Sequence, residues 1–290
     1  LSSKITKRHV HVGLIGANIT RSLSPAMHMR EGAAAGIDCR YDIIDIAEDG
    51  RSAADLPRLI DEAQAAGFAG LNITHPCKQE AVSLVDELSP HAAALQSINT
   101  IVFRNGKRIG HNTDWWGYAE GFRRGLPDAS LKRVVLLGAG GAGVAVAYAL
   151  AEMGAQEISI FDLDAARAVA VADKLGKVQL HCNFVESRNL ADDLETAAGL
   201  VHATPVGMDA HPGLPLEQAL VKPQLWVSDI VYFPLQTALV RLARERGCRV
   251  LDGGGMAVFQ AVGAFELFSG ITADADRMLA HFAELQTARV

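Results

Sequence analysis

The chain has 290 residues, which a prior of about 150 residues per domain divides into roughly two domains. Hydrophobic residues make up 49% and charged residues 21%, a balance that excludes a disordered linker and a disulfide-stapled mini-domain. Lys+Arg 27 against Asp+Glu 33 gives a net charge of −6, which argues against a broad basic surface for nucleic acid and leaves open a local basic pocket for one small anion.

In chain order, Val10, Val12 and Leu14 alternate and stop at Gly16, the pattern of a strand. Ser24 and Pro25 follow as N-cap and first helical residue of a helix closing near Gly36. A strand around Tyr41 to Ile46 precedes a helix from about Ala53 to Ala66, with Gly67 just past its end. Leu71-Asn72-Ile73 reads as a short strand ending in the turn Thr74-His75-Pro76, and a helix beginning after Pro76 carries Lys78 in its first turn. Val102 to Arg104 and Lys107 to Ile109 flank Asn105-Gly106, the pair that a type I′ hairpin turn favours. From Arg133 the pattern becomes regular: strand Val134 to Leu137, helix Ala142 to Met153, strand Ile158 to Phe161, helix Ala165 to Leu175, then strands near Leu200 to Ala203 and Trp226 to Ile230. That alternation implies right-handed crossovers and a parallel sheet covered on both faces. After a last strand at Val250-Leu251, helices at about Ala257 to Phe268 and Arg277 to Gln286 are free to pack on either domain. Pro127-Asp128 and Gly253-Gly254-Gly255 are the linker candidates, and no internal repeat stands out.

Cys39, Cys77, Cys182 and Cys248 lie far apart, with no C-x-x-C pair and no histidine at zinc-ligand spacing, so no metal site is expected. They read as reduced thiols of a cytoplasmic protein, and no secretory leader pattern is present. The run from Val134 to Ala151 has no charge and imitates a membrane span, but its glycines crowd the first half, as in a strand turning into a buried helix. No membrane association is expected.

Gly138-Ala139-Gly140-Gly141-Ala142-Gly143 matches G-x-G-x-x-G between a strand and a helix. The first glycine permits the tight turn, the second lets backbone approach a pyrophosphate, and the third allows close helix packing; the helix N-terminus supplies N–H groups for the anion. Asp162 stands at the end of the next strand, 162 minus 138 or 24 positions on, where a carboxylate accepts from both ribose hydroxyls of NAD and repels the 2′-phosphate of NADP. Asp164 competes for that role but suits the following helix cap, and Arg167 reads as solvated.

Four polar clusters in the N-terminal part exceed what a core needs: Ser22-Leu23-Ser24-Pro25, Asn72 to Lys78, Ser97-Ile98-Asn99-Thr100 and Asn112-Thr113-Asp114. With Ala203 to Met208, Asp229-Ile230-Val231-Tyr232 and Gly253 to Gln260, they resemble the shikimate dehydrogenase family along nearly the whole chain, most of all its NAD-using quinate/shikimate dehydrogenases, because Asp162-Leu163-Asp164 stands where NADP-dependent members tend to carry a basic residue. The resemblance implies an α/β substrate-binding and catalytic domain at 1–116, to which the helices of 262–290 can return, and a Rossmann NAD-binding domain with a doubly wound parallel sheet at 117–261. It implies reversible oxidation of shikimate to 3-dehydroshikimate, with quinate as a possible further substrate, and a small cyclic hydroxy acid as the partner. By motif, Ser22 and Ser24 would hold the substrate carboxylate, Thr74, Asn99 and Gln260 would bind ring hydroxyls or the carboxylate, and Tyr232 would close the site. Lys78 and Asp114 would be the catalytic pair. Thr204 and Val206 would lie along the cofactor, with Ile230 and Gly253 near the nicotinamide.

The chemistry calls for these residue types independently. Hydride leaves carbon as the hydroxyl proton leaves oxygen, so a group able to take that proton must stand within ~3 Å. Lysine can do so if its pKa falls from about 10.4 toward ~7 to 8, whereas an adjacent Asp114 pushes the other way. Either burial outweighs the attraction or the pair shares the proton as a coupled unit. Read alone, Lys78 is a cation misplaced against the dipole of a first helical turn, and Asp114 is an N-cap before Trp115-Trp116. Ser24 keeps the two-serine arrangement usual for shikimate, where quinate-oxidising relatives can carry threonine. Ser97 departs from the family's usual small residues, and bare Gly254-Gly255 before Met256 is expected to loosen the nicotinamide end of the cleft. A dehydrogenase for an amino-substituted ring and a non-catalytic nucleotide sensor remain as alternatives. The sequence assigns no oligomeric state.

Overall fold

The computed structural model describes residues 8–48 and 50–288; residues 1–7, over which the leader pattern was sought, and 49, 289 and 290 lie outside the described residues. The chain divides into two compact units, one of the residues up to Thr113 together with those from Gln260 onward, the other from Asp114 to Phe259. The sequence-based boundaries were 116/117 and 261/262.

The first unit runs β1 (His9–Gly16), α1 (Ser24–Ala34), β2 (Asp38–Asp45), α2 (Leu56–Ala65), β3 (Gly70–Ile73), β4 (Glu87–Leu88), α3 (Pro90–Leu95), β5 (Thr100–Arg104) and β6 (Lys107–His111). The strands form one sheet in the order β2-β1-β3-β5-β6-β4. It is mixed: β1 pairs parallel with β2 and β3, whereas β5 is antiparallel to β3 and β6. The reversal at β5–β6 follows from Asn105 and Gly106, both at positive φ (53° and 78°), as a type I′ turn requires. The alternation of β1 sorts side chains to two faces. Val10, Val12 and Leu14 pack with Ile37, Tyr41, Phe265 and Phe268, while Ile15 packs with Leu56 and Ile60 of α2.

The second unit runs α4 (Asp114–Gly125), β7 (Arg133–Leu137), α5 (Gly141–Glu152), β8 (Glu157–Phe161), α6 (Ala165–Gly176), β9 (Asn183–Glu186), α7 (Leu190–Thr196), β10 (Gly199–His202), β11 (Trp226–Asp229), α8 (Ala238–Glu245), β12 (Arg249–Leu251) and the start of α9 (Gly254–Ser269). Its sheet order is β12-β11-β10-β7-β8-β9, with every pairing parallel. Counted within the unit this is 6-5-4-1-2-3, the doubly wound order whose switch point lies between β7 and β10. The uncharged run at 134–151 is β7 and α5, and among the described residues no helix is long and apolar enough to cross a membrane.

Beyond residue 259, α9 continues into the first unit, followed by α10 (Ala275–Thr287). The Glu31 carboxylate of α1, wholly buried, accepts from Arg277 Nη2 at 2.6 Å, Arg277 Nε at 2.9 Å and the Asp274 N–H at 2.9 Å, which fixes α10 against α1. Neither linker candidate separates the units. Pro127-Asp128 connects α4 to β7 inside the second unit, and Gly254-Gly255 form the first turn of α9. Gly255 serves packing, since a Cβ there would lie 3.2 Å from the Gly121 Cα of α4.

Candidate functional site

Strand register gathers the candidate residues of the first unit at one end of its sheet. Gly16 is paired with Asp45, Ile15 with Ile73, Asn72 with Thr100 and Thr100 with His111. The segments carrying Ser22, Thr74, Asn99 and Thr113 therefore leave or enter the sheet at the same edge.

The loop after β1 is anchored by Asp45, which is 5% exposed. Its carboxylate accepts the N–H groups of Asn18 at 2.9 Å, Ile19 at 2.7 Å and Ala47 at 2.9 Å. Burial acts to raise this carboxyl, but those N–H groups together with that of Thr20 outweigh it and hold it below the ordinary carboxylate range. The loop delivers Ser22, whose Oγ accepts the Ser24 N–H at 3.2 Å. Because Ser22 takes that donor, α1 opens one residue early: Leu23 occupies the cap position without a side-chain bond, and Ser24 is the first helical residue rather than the cap. The Ser24 hydroxyl is instead bonded to Tyr41, and the Tyr41 hydroxyl donates to Asn72 Oδ1 at 2.8 Å.

From Asn72 the network continues through buried amides and hydroxyls. Asn72 Nδ2 donates to the Asn99 carbonyl at 3.2 Å and to Thr100 Oγ1 at 3.0 Å. Asn99 Oδ1 accepts the Thr113 N–H at 2.8 Å, its Nδ2 donates to Thr113 Oγ1 at 2.9 Å, and the Thr113 hydroxyl donates to the Gln260 carbonyl at 3.0 Å. Gln260 thus enters this network through its backbone. Thr74 follows Ile73, whose N–H bonds the Asn99 carbonyl at 2.8 Å, and its own N–H is held by the Ile15 carbonyl at 2.9 Å.

Lys78 is half-buried and lies in a turn, not in the first turn of a helix. The reason is long-range: the Lys78 carbonyl, which a helix would bond four residues on, accepts the Ile98 N–H at 3.0 Å instead, and only a 3-10 turn forms at Glu80–Leu84. The dipole misfit inferred from sequence therefore does not apply, and Lys78 is tied to the residue beside Asn99. Asp114 is buried and is the first residue of α4 rather than its cap. His75 is an exposed turn residue.

In the second unit every cofactor candidate follows the carboxyl end of a strand. Gly138 has φ 103°, and a Cβ there would meet the Ala203 carbonyl oxygen at 2.6 Å. A Cβ on Gly143 would lie 2.0 Å from the Gly138 oxygen, whereas at Gly141 nothing lies within 4 Å and at Gly140 only Arg167 Nη2, at 3.9 Å. The turn is closed where helix and strand meet and open where α5 begins, a shape that fits a pyrophosphate. Ala139 N–H donates to Asp162 Oδ2 at 2.8 Å and Asp164 N–H to Asp162 Oδ1 at 3.0 Å. Both Asp162 oxygens are thereby oriented and keep lone pairs for further donors. Asp164 Oδ1 caps α6 by accepting the Ala166 N–H at 3.1 Å, as expected. Arg167 is exposed, yet its guanidinium stands beside the glycine turn.

Thr204 and Val206 follow β10, and Thr204 Oγ1 accepts the Val206 N–H at 3.2 Å. Ile230 follows β11, and Gly253 follows β12, where a Cβ would strike the Ile230 carbonyl oxygen at 2.4 Å. Tyr232 is 45% exposed beyond β11. Residues the sequence did not single out are Asp45, Tyr41 and His202, which forms a fully buried pair with Asp229 of the Asp229 to Tyr232 motif. The signal for His202 was a polar residue closing an apolar strand.

A family profile described as "Shikimate dehydrogenase substrate binding domain" matches residues 14–101, and one described as "Shikimate / quinate 5-dehydrogenase" matches residues 122–205. Shikimate dehydrogenase (NADP(+)) of Streptomyces avermitilis is 52% identical over 281 residues, covering 94% of this chain and 95% of that protein. Quinate/shikimate dehydrogenase (NAD(+)) of Corynebacterium efficiens is 46% identical, covering 94% and 98%. The solved structure of quinate dehydrogenase from Corynebacterium glutamicum in complex with NAD is 44% identical with a TM-score of 0.91, covering 96% of this chain and 100% of that one.

Proposed function

Because the chain belongs to the shikimate dehydrogenase family, we propose that it reversibly oxidises shikimate to 3-dehydroshikimate, with quinate as a second substrate and NAD as cofactor. The observation that carries this reading is the buried network from Tyr41 through Asn72 and Asn99 to Thr113, which holds directional polar groups at one end of the first unit as a ring bearing several hydroxyls requires. Ser22 and Ser24 hold the substrate carboxylate, Thr74 and Asn99 bind ring hydroxyls, Gln260 supports them, and Tyr232 closes over the ring. Lys78 takes the hydroxyl proton as the carbonyl forms and then hydrogen-bonds the new oxygen, and Asp114 is the carboxylate paired with it in handling that proton.

The residues from Gly138 to Gly143 hold the pyrophosphate, Asp162 the adenosine ribose, and Thr204, Val206, Ile230 and Gly253 the nicotinamide half. When bound, the nicotinamide supplies the hydride acceptor. Asp162, oriented by two backbone N–H groups, favours NAD. Arg167 favours a second reading in which NADP is used, because its charge beside the glycine turn suits an added phosphate. The four free cysteines agree with a reducing cytoplasmic setting.

The test is kcat/KM for shikimate and quinate, each with NAD and NADP. Turnover fastest with shikimate and NAD is expected, and Lys78→Ala lowers kcat by roughly 100-fold or more while dinucleotide affinity stays unchanged. Absence of turnover in all four combinations overturns the proposal, and a near-normal Lys78→Ala enzyme removes that residue from the mechanism. Tight dinucleotide binding without turnover would instead identify a sensor.

A further inference from the structure

Behind Thr204 runs a chain of hydrogen bonds that a glycine-turn nucleotide site does not by itself require. His202 ends β10 and Asp229 ends β11, paired in register, and both side chains have no exposed surface. One Asp229 oxygen accepts from His202 Nδ1 at 2.9 Å and from the Val231 N–H at 3.0 Å. The other accepts the Thr237 hydroxyl at 2.6 Å, and Thr237 Oγ1 in turn accepts the Val240 N–H as the cap of α8. At the outer end, His202 Nε2 stands 2.5 Å from Thr204 Oγ1.

With Asp229 as a carboxylate and a singly protonated ring, this wiring has one consistent arrangement of protons. An ionised carboxylate only accepts, so the proton between Asp229 and the imidazole sits on Nδ1. In the singly protonated ring Nε2 then offers a lone pair, and its bond to Thr204 uses the threonine's own proton. In that arrangement the Thr204 hydroxyl turns its proton inward, and its lone pairs are left for the Val206 N–H and a further donor. A buried imidazole and carboxylate add little stability over an apolar pair of the same volume, so the arrangement is better explained by orientation than by stability.

We propose that His202 is a positioning residue for the dinucleotide: held by Asp229, it fixes Thr204 as a hydrogen-bond acceptor toward a donor group of the bound cofactor. The proposal rests on the reading above that Thr204 lines the cofactor.

The test is the dissociation constant of the whole protein for NAD and for NADP by calorimetry. His202→Asn keeps an amide N–H where Nδ1 stood and removes Nε2; Thr204→Val removes the hydroxyl at constant shape; Thr204→Ser retains it. His202→Asn and Thr204→Val are each expected to weaken the preferred dinucleotide about fivefold, the scale of one neutral hydrogen bond. The double variant is expected to be no worse than either single, and Thr204→Ser to bind as wild type. Additive losses, unchanged binding in either single variant, or a Thr204→Ser protein as impaired as Thr204→Val overturns the proposal. Nitrogen chemical shifts of the His202 ring in the wild-type protein provide a reading that no variant's folding can spoil: a proton on Nδ1 and a bare Nε2 are expected, and the opposite tautomer overturns it. A wild-type protein that binds neither dinucleotide overturns the functional reading and this proposal with it. Wild-type binding with unaffected variants overturns this proposal alone.

Discussion

The two units make polar sites from different materials. At the sheet end of the first unit, amide and hydroxyl side chains satisfy one another, from Ser24 and Tyr41 through Asn72 and Asn99 to Thr113, and few of their atoms are exposed. At the corresponding end of the second unit, the turn from Gly138 to Gly143 offers backbone and space, with a single carboxylate, Asp162, oriented over it. On the proposed function, the difference follows from what each binds. Ring hydroxyls are told apart only by directional groups, and such groups keep their direction when buried and fully partnered. A pyrophosphate is held by N–H groups at a helix start and tolerates no Cβ in their way.

The largest expected effect separates the units by acid. His28 of the first unit packs among Tyr41, Phe265 and Phe268, and burial lowers its pKa to about 3. Unfolding restores the ordinary value of about 6.5, so the stability tied to the neutral ring is complete above ~6.5 and is lost as pH falls toward 3, by roughly 3–5 kcal/mol in all. All three tryptophans, Trp115, Trp116 and Trp226, lie in the second unit. Acid titration followed by far-ultraviolet circular dichroism is therefore expected to show loss of structure at higher pH than tryptophan fluorescence does. His28→Phe should bring the two curves together; curves that coincide in the wild type would break the distinction.

Next in size is Gly143→Ala, which drives a methyl into the Gly138 carbonyl and is expected to lower stability by about 1–3 kcal/mol and weaken dinucleotide binding at least tenfold. Urea unfolding and calorimetry read the two losses, and normal cofactor affinity would show that the turn yields. Asp45→Asn attacks the other site through its loop: an amide group must face backbone N–H donors, so KM for the ring acid should rise about tenfold with little change in cofactor KM, the scale of one bond to a charged group. Equal rises in both KM values would mean that Asp45 supports the fold and not the loop. The smallest effect is expected of Asp162→Ala, a few-fold loss of NAD affinity, roughly 1 kcal/mol, with NADP little changed. An unaltered ratio of the two would remove Asp162 from cofactor choice.

Much of this architecture was legible in the chain because local chemistry decided it. Asn105-Gly106 supplied both positive φ angles of its hairpin, and the glycine turn at 138–143 and the Asp164 cap formed where their residue types demanded. Legibility failed where distant partners took over. No local pattern shows that the Ile98 N–H captures the Lys78 carbonyl and leaves Lys78 in a turn, or that Asp45 collects the N–H groups of a loop 26 and 27 residues away. Strand β9, with four residues at a sheet edge and none fully buried, and the seven-residue α7 gave too short a periodicity to register. The bareness of Gly254-Gly255 was visible, but the approach of α4 through Gly121 to Gly255 was not.

The first unit is built from two pieces of chain and the second from one uninterrupted piece. During synthesis the ribosome completes Asp114–Phe259 before it has made Phe265 and Phe268, against which Val10, Val12 and Leu14 pack. The nascent N-terminal sheet must therefore wait for part of the cover of that apolar face, which until then has its own Ile19, Ile37, Tyr41 and Val102, while the later-made unit is free to fold first.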